Sequence, residues 1–150
     1  MFDKYGEFGS YEEINKAAQG FKDEGDLDSL KAMARENGID ELDAEDYIEG
    51  TIPELVTLTS AAVGRLKVEK EASKKDQGIL TVLINMAEAM ATSDKEDAAM
   101  FLTKGKRLDG VIEEMRKEAE RNKSGNCGCV CGTDLDLMRR IRAYYGRSAV

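Results

Sequence analysis

Apolar side chains recur at helical spacing along most of this chain, and residues that start or stop helices bound each run. The first example is the set Ile14, Ala17, Ala18 and Phe21, which follows the i, i+3, i+4, i+7 pattern of one helix face. The chain has a single proline in 150 residues and is rich in Ala, Glu, Lys and Leu, which favour helices. We therefore predict an all-α fold, a compact multi-helix bundle.

Three short helices are predicted between residues 10 and 50. Ser10 starts the first one, Glu13 forms a capping box with it, and Gly20 and Gly25 bracket its end. The later caps and stops are, in chain order, Asp26 or Asp28, Asn37-Gly38, Asp40 or Asp43, and Gly50. The turns between these helices are acidic, so we predict an acidic N-terminal helical subdomain over residues 1–52 and a helical core over residues 53–150.

Longer helices are predicted in the second part of the chain. Pro53 suits the first turn of a helix that carries the apolar residues of 55–66, with a kink at Gly64. The segment 77–92 is apolar on more than one face, so its helix is predicted to form the buried centre. The remaining predicted helix starts are Ser93 or Asp94, Leu108, and Thr133 or Asp134.

Charge is distributed unevenly along the chain, whose net charge is −8. Residues 1–55 hold 16 acidic and 5 basic side chains, a net of −11, whereas residues 56–150 hold 14 acidic and 17 basic ones, a net of +3. An acidic surface repels phosphates and is attracted to a basic protein groove. We therefore expect a protein partner and no direct binding of nucleic acid.

Catalysis has little support in the sequence. The chain has no histidine, which excludes catalytic triads that use it and histidine-containing metal sites. Paired carboxylates occur among 30 acidic residues by chance, and no pair follows a pattern that demands burial. The acidic run 23–28 lacks the ligand spacing of a calcium loop and fits a helix cap better. We predict that the protein is not an enzyme and needs no cofactor.

Three cysteines alternate along a loop between the last two helices, at Cys127, Cys129 and Cys131. Structural zinc usually takes four ligands with a Cys-x2-4-Cys pair, so a metal site here would need Asp134 or a second chain as the fourth ligand. A redox role is a further alternative. A plain Gly/Cys loop that packs small side chains is the interpretation that we favour, and metal binding stays open.

The hydropathy pattern gives no sign of a membrane protein. No apolar run approaches the ~20 residues that a membrane-spanning helix needs. The N-terminus has no basic segment followed by an apolar core, as a signal peptide would. We expect a soluble, cytoplasmic protein, and the sequence leaves its oligomeric state undetermined.

The last third of the chain has a distinctive order of features. Gly105-Lys106-Arg107-Leu108 leads into Gly110, Val111 and Ile112, and a Lys/Glu-rich helix, a glycine-containing loop and a helix from Met138 to Tyr145 follow. In this order residues 95–146 resemble the PcfK-like family of mobile genetic elements, which includes type II-A anti-CRISPR proteins that inhibit Cas9. Residues 2–48 look like the leader of uncharacterised proteins on conjugative elements of gut Firmicutes.

This resemblance implies a bacterial anti-CRISPR protein that inhibits a Cas9 effector by stoichiometric binding. Cas9-type effectors hold nucleic acid in positive channels that an acidic helical surface could occupy. The residues expected to contact Cas9 or its guide-RNA complex are Asp26, Asp28, Asp40, Glu41, Asp43, Glu45, Asp46 and Glu49. The alternative is a non-enzymatic interaction protein of a conjugative element, an accessory of transfer or replication, that binds its partner through the apolar or basic C-terminal helices.

Overall fold

Eight α-helices account for the regular structure in residues 1–125 and 132–147, the part of the chain that the computed structural model describes. They are α1 (Tyr11–Glu24), α2 (Leu27–Glu36), α3 (Glu41–Glu49), α4 (Leu58–Ala72), α5 (Gln77–Ser93), α6 (Lys95–Phe101), α7 (Leu108–Arg121) and α8 (Asp134–Tyr145). The predicted all-α bundle is confirmed. The three cysteines at 127, 129 and 131 lie outside the described residues.

Local capping signals place most helix ends where the sequence predicts them. The side chain of Ser10 accepts a hydrogen bond from the backbone N–H of Glu13, and Gly25 ends α1 in the left-handed conformation. The reciprocal half of the predicted capping box is wrong, because the carboxylate of Glu13 accepts from the N–H of Gly9 at 2.9 Å. Gly20 lies inside α1. The caps of the other predicted helices are confirmed at Asp26, Asp40, Asp94 and Thr133.

The predicted helix start at Pro53 is wrong, because the chain does not become helical until after Thr57. The side-chain amide of Asn15 donates to the carbonyl of Val56 at 2.9 Å and accepts from its N–H at 3.0 Å. Both backbone groups of Val56 are therefore held by α1 and are lost to any helix. Thr57 then forms a reciprocal capping box with Ser60 and starts α4.

Two groups of buried apolar side chains lie on either side of α4. The N-terminal cluster contains Ile14, Ala18, Leu30, Met33, Ala34, Ile39, Ala44, Tyr47, Leu55, Val56, Ala61 and Leu102. The C-terminal cluster contains Ala62, Leu66, Leu80, Leu83, Ile84, Ala87, Met90, Ala91, Ala98, Met100, Phe101, Leu108, Val111, Ile112, Ile141 and Tyr145. Helix α4 contributes neighbouring residues to both clusters, so it joins the two halves of the core. The subdomain boundary at residue 52 stays a prediction.

Gly64 allows a close helix contact in α4, which is continuous from Leu58 to Ala72. A Cβ atom on Gly64 would lie 2.6 Å from the carbonyl oxygen of Asn37, and one on Gly38 would lie 2.2 Å from the carbonyl oxygen of Gly64. Gly38 also has a φ of +70°. The end of α2 therefore crosses α4 backbone against backbone, which only glycine at both positions permits.

Helix α5 buries one face, although the sequence predicts burial on more than one. Leu80, Leu83 and Ala87 are almost fully buried in the C-terminal cluster. Ile79 and Val82 stay 47% and 56% exposed. This buried face packs against α4, α6, α7 and α8, so α5 is central to the C-terminal cluster, while α4 joins that cluster to the N-terminal one.

Candidate functional site

The eight predicted partner-binding acids lie on α2, α3 and their caps, and we call this region the acidic surface. Asp28, Asp40, Asp43 and Glu49 are exposed. Asp26, Glu41, Glu45 and Asp46 are half-buried. Helices α2 and α3 pack against each other in the structure, so the eight residues share one region of the surface.

Two of the eight carboxylates cap helices. Asp26 accepts from the N–H of Ser29 at 3.0 Å, and Asp40 accepts from the N–H of Leu42 at 2.9 Å. The hydrogen bonds from the side chain and backbone of Ser29 lower the pKa of Asp26, since they stabilise its charged form. These two residues hold the helix starts that present the others.

Two further carboxylates tie α3 to α2 through ion pairs. Glu41 contacts the guanidinium of Arg35 at 2.6 Å, and Glu45 contacts the ammonium of Lys31. The hydrogen bond to Glu45 raises the pKa of Lys31. Within the described residues, the side chains of Asp28, Asp43, Asp46 and Glu49 make no hydrogen bond or ion pair. These four acids are the ones available to a partner.

An exposed leucine lies among these acids and was missed by the sequence reasoning. Leu42, in the first turn of α3, is 64% exposed, the largest exposure among the exposed large apolar side chains of the described chain. The buried side of α3 holds Ala44 and Tyr47. Leu42 falls on the opposite side of the helix, a signal that the sequence did contain. The acidic surface therefore combines charge with one apolar side chain.

The second half of the molecule places charged groups inside the protein. Asp97 on α6 is fully buried and accepts two hydrogen bonds from the guanidinium of Arg142 on α8, at 2.9 and 2.7 Å. Arg147 contacts the same carboxylate. Both oxygens of Asp97 are thus occupied by arginines that lie 45 and 50 residues further along the chain. This group fixes the end of α8 on α6.

A second buried polar group surrounds Glu69 on α4. One oxygen of Glu69 accepts from the N–H of Leu108 at 2.9 Å, at the start of α7, while the other lies 3.7 Å from Nε of Arg65. Arg65 also contacts the carboxylate of Glu7, which accepts from the N–H of Gly105 at 3.0 Å. Burial raises the pKa of Glu69 to about 7, against the lowering effects of its Leu108 bond and Arg65.

The basic and aromatic residues of the C-terminal helices make contacts within the fold. Arg140 contacts Glu118 of α7 through a hydrogen bond of 2.8 Å, and Arg142 pairs with Asp97. The partners of these two arginines lie in α7 and α6. Tyr145 is buried against Phe101 with ring centroids 5.2 Å apart, and Tyr144 is half-buried.

Residues 1–125 and 132–147 contain neither a cluster of metal ligands nor a membrane-spanning helix. No cluster of three or more Asp, Glu, Cys or His side chains suited to a metal occurs there. No helix in that part of the chain has the length and apolar character to cross a bilayer. The metal interpretation of Cys127, Cys129 and Cys131 falls outside the described residues.

Comparisons with known protein families, curated proteins and solved structures found no match to this chain.

Proposed function

We propose that this protein binds a partner protein stoichiometrically through the acidic surface, and that the partner is a Cas9-type effector, as the resemblance of its last third implies. The supporting observation is that the acids of α2, α3 and their caps fall into two groups, one that stabilises the helices and one that makes no intramolecular contact in the described chain. Four of them hold the two helices in place, and Asp28, Asp43, Asp46 and Glu49 remain without an intramolecular pair in the described chain. A fixed array of unpaired carboxylates suits a basic protein groove.

Leu42 gives this surface a second means of binding. Interfaces gain most of their affinity from a few apolar or aromatic anchors, and surrounding charges set the association rate and the choice of partner. Leu42 is exposed between the cap Asp40 and the unpaired Asp43. We therefore expect binding with two components, one from charge that salt weakens and one from Leu42 that salt leaves intact.

A non-catalytic role agrees with the position of the buried carboxylates. Both oxygens of Asp97 accept hydrogen bonds from arginines, and Glu69 accepts one from the N–H of Leu108 at the start of α7. Asp97 lines the open groove between α5, α6 and α8, but arginines occupy both of its oxygens. Inhibition by occupation of a nucleic-acid channel needs no reacting group.

The test is inhibition of Cas9 cleavage by the purified protein, with binding to the Cas9-guide complex followed at low and high salt. The diagnostic variant reverses three exposed acids, Asp28→Lys, Asp43→Lys and Glu49→Lys. Its control reverses three exposed acids of the other half, Glu114→Lys, Glu120→Lys and Asp134→Lys. We expect the first variant to bind at least about tenfold more weakly at low salt and the control to bind normally.

Unchanged inhibition by the first variant would exclude the acidic surface, and absence of binding to several Cas9 orthologues would exclude this partner class. Leu42→Ser separates the two components, because it should weaken binding equally at both salt concentrations. A fold control by circular dichroism accompanies each variant.

The second candidate function is an interaction protein of a conjugative element that binds through the C-terminal helices. The specific observation in its favour is the exposure of Ile79, Val82 and Leu135 on α5 and α8. Capture of transfer or replication proteins that survives the acidic triple reversal, and is lost in Val82→Glu, would favour this candidate over the first.

A further inference from the structure

Helix α5 carries an apolar seam on its solvent side, consisting of Ile79, Val82, Met86 and Ala89. Three of these side chains are exposed and Met86 is half-buried. Their spacing of three, four and three residues is that of the a and d positions through which helices pair. The core already uses the adjacent face of α5, so the apolar stripe of this helix is wider than the fold requires.

An open groove of about 700 Å³ runs beside the seam, between α5, α6 and α8. Met86 and Val82 line one side and Met138 lines the other. Leu135 lies one turn before Met138 on α8 and is 49% exposed. Three of the four exposed large apolar side chains in the described residues therefore lie on the two helices that border this groove. Such a concentration marks a surface for protein association.

The seam is electrically neutral in a strongly charged protein. Glu88 is the only charged residue of α5, and its position at helical spacing places it about half a turn away from the seam. Two copies of a chain with a net charge of −8 repel each other on most approaches. The four seam residues themselves bring no like charges together, and the charged residues of the groove beside them are Asp94, Asp97, Asp134 and Arg142.

We propose that a second copy of this chain covers the seam, with the two α5 helices antiparallel about a twofold axis near Ile84. This arrangement sets Ile79 of one copy opposite Ala89 of the other, and Val82 opposite Met86. Large side chains then face smaller ones, which is the self-complementarity that a twofold interface requires. The same alignment brings Lys74, exposed before α5, to the level of the other copy's Asp94, a half-buried residue that caps α6 and pairs with Arg147 of its own chain. In a parallel pair, Lys74 would lie at the level of Lys74 of the other copy, and Asp94 at the level of Asp94.

The dimer extends beyond the proposed function and depends on different helices. None of the N-terminal cluster residues comes from α5. Self-association through α5 therefore leaves the acidic surface of each copy outside the seam and gives the assembly two such surfaces. Failure of the dimer would leave the acidic-surface proposal untouched, and failure of Cas9 binding would leave the dimer untouched.

The experiment measures molar mass by light scattering over a wide range of protein concentrations, under reducing conditions so that the cysteines form no cross-links. We expect the wild-type chain to reach twice the mass of one copy. Val82→Glu and Met86→Lys should each remain at the mass of a single copy. Ala99→Glu, which adds the same charge as the first variant at an exposed position of α6, should dimerise like the wild type.

A mixture of the two variants tests the orientation. In the antiparallel pair Glu at position 82 of one copy faces Lys at position 86 of the other, so the mixture should regain the dimer mass that neither variant reaches alone. Circular dichroism verifies that each variant is folded. A wild-type chain that stays at single-copy mass throughout, or a folded Val82→Glu variant that still dimerises, overturns the proposal. A mixture that fails to recover overturns the antiparallel register.

Discussion

The two halves of this molecule treat charge in opposite ways. Around the N-terminal cluster the acids stay at the surface, where Asp26 and Asp40 cap helices and the rest face solvent or form surface ion pairs. Around the C-terminal cluster Asp97 and Glu69 are buried inside the helix packing. Charge therefore supports the structure from inside in the second half and remains accessible in the first.

The difference matters because the same side chain has different energetic weight in the two environments. A buried ion pair that loses one member leaves a charge without solvent or partner, whereas an exposed carboxylate loses little when it is removed. Substitutions of equal size should thus separate the halves clearly. The following experiments test this contrast from the largest expected effect to the smallest.

Removal of the buried carboxylate on α6 should have the largest effect. Asp97→Ala leaves Arg142 and Arg147 without their shared partner, so we expect the free energy of unfolding to fall by about 3 to 5 kcal/mol. Urea denaturation followed by circular dichroism measures it. The matched control is Glu96→Ala, one residue earlier, whose side chain is 76% exposed and which also contacts Arg147. Equal losses in the two variants would contradict the contrast.

The backbone crossing of α2 and α4 should be the next most sensitive point. Gly38→Ala forces a Cβ atom against the carbonyl of Gly64 and strains a positive φ, so we expect a loss of about 3 kcal/mol. Gly50→Ala is the control, because Gly50 has a φ of +82° and no atom within 4 Å of its Cβ position. Gly50→Ala has the strain of a positive φ without the steric clash, so its free energy of unfolding should fall by about 1 kcal/mol. Thermal unfolding distinguishes the two, and similar melting temperatures would show that the crossing tolerates a methyl group.

Glu69 should make the free energy of unfolding depend on pH between about 4.5 and 7, a range in which few other groups of this chain titrate. Its pKa is about 7 in the fold against 4.5 ordinarily, so the fold favours the protonated form. The resulting stabilisation is fully present below pH 4.5 and is lost as the pH rises through about 7, by about 3 kcal/mol at most. The chain has no histidine, so few other groups titrate in this window.

Glu69→Gln is the variant that tests this interpretation. The amide keeps an oxygen for the N–H of Leu108 and has no charge to lose, so the free energy of unfolding should become nearly constant between pH 5 and pH 7. Glu71→Gln, exposed two residues further on, should leave the slope of the wild type unchanged. A slope that persists in Glu69→Gln would assign the pH dependence to other groups.

The helix starts that depend on local hydrogen bonds could be predicted from the sequence. Caps at Ser10, Asp40 and Thr133 are decided by a hydrogen bond to a residue two or three positions away, and they were predicted. The start of α4 was predicted at the wrong residue because Asn15, 41 residues earlier, binds both backbone groups of Val56 and keeps them out of a helix. No sequence pattern near Pro53 indicates this long-range contact.

The site shows the same limit. The clustering of acids on α2 and α3 follows from charge counts, but which acids cap, pair or remain unpaired depends on how the helices pack. Leu42 could have been found from its place on the polar side of α3. The role of Asp97 could not be predicted. In the sequence it is an ordinary acid in the first turn of α6, and only the packing of α8 on α6 brings Arg142 to its carboxylate.

The smallest expected effect divides the acidic surface itself. Asp40→Ala removes the cap from α3 and should lower the free energy of unfolding by about 1 kcal/mol. Asp43→Ala removes an exposed carboxylate of the first turn and should change it by less than about 0.5 kcal/mol. For partner binding we expect the reverse order, because Asp43 is unpaired and Asp40 already accepts a hydrogen bond. Urea denaturation and binding at low salt, measured on both variants, check the two rankings. Identical rankings in stability and binding would mean that capping acids and accessible acids are not distinct groups on this surface.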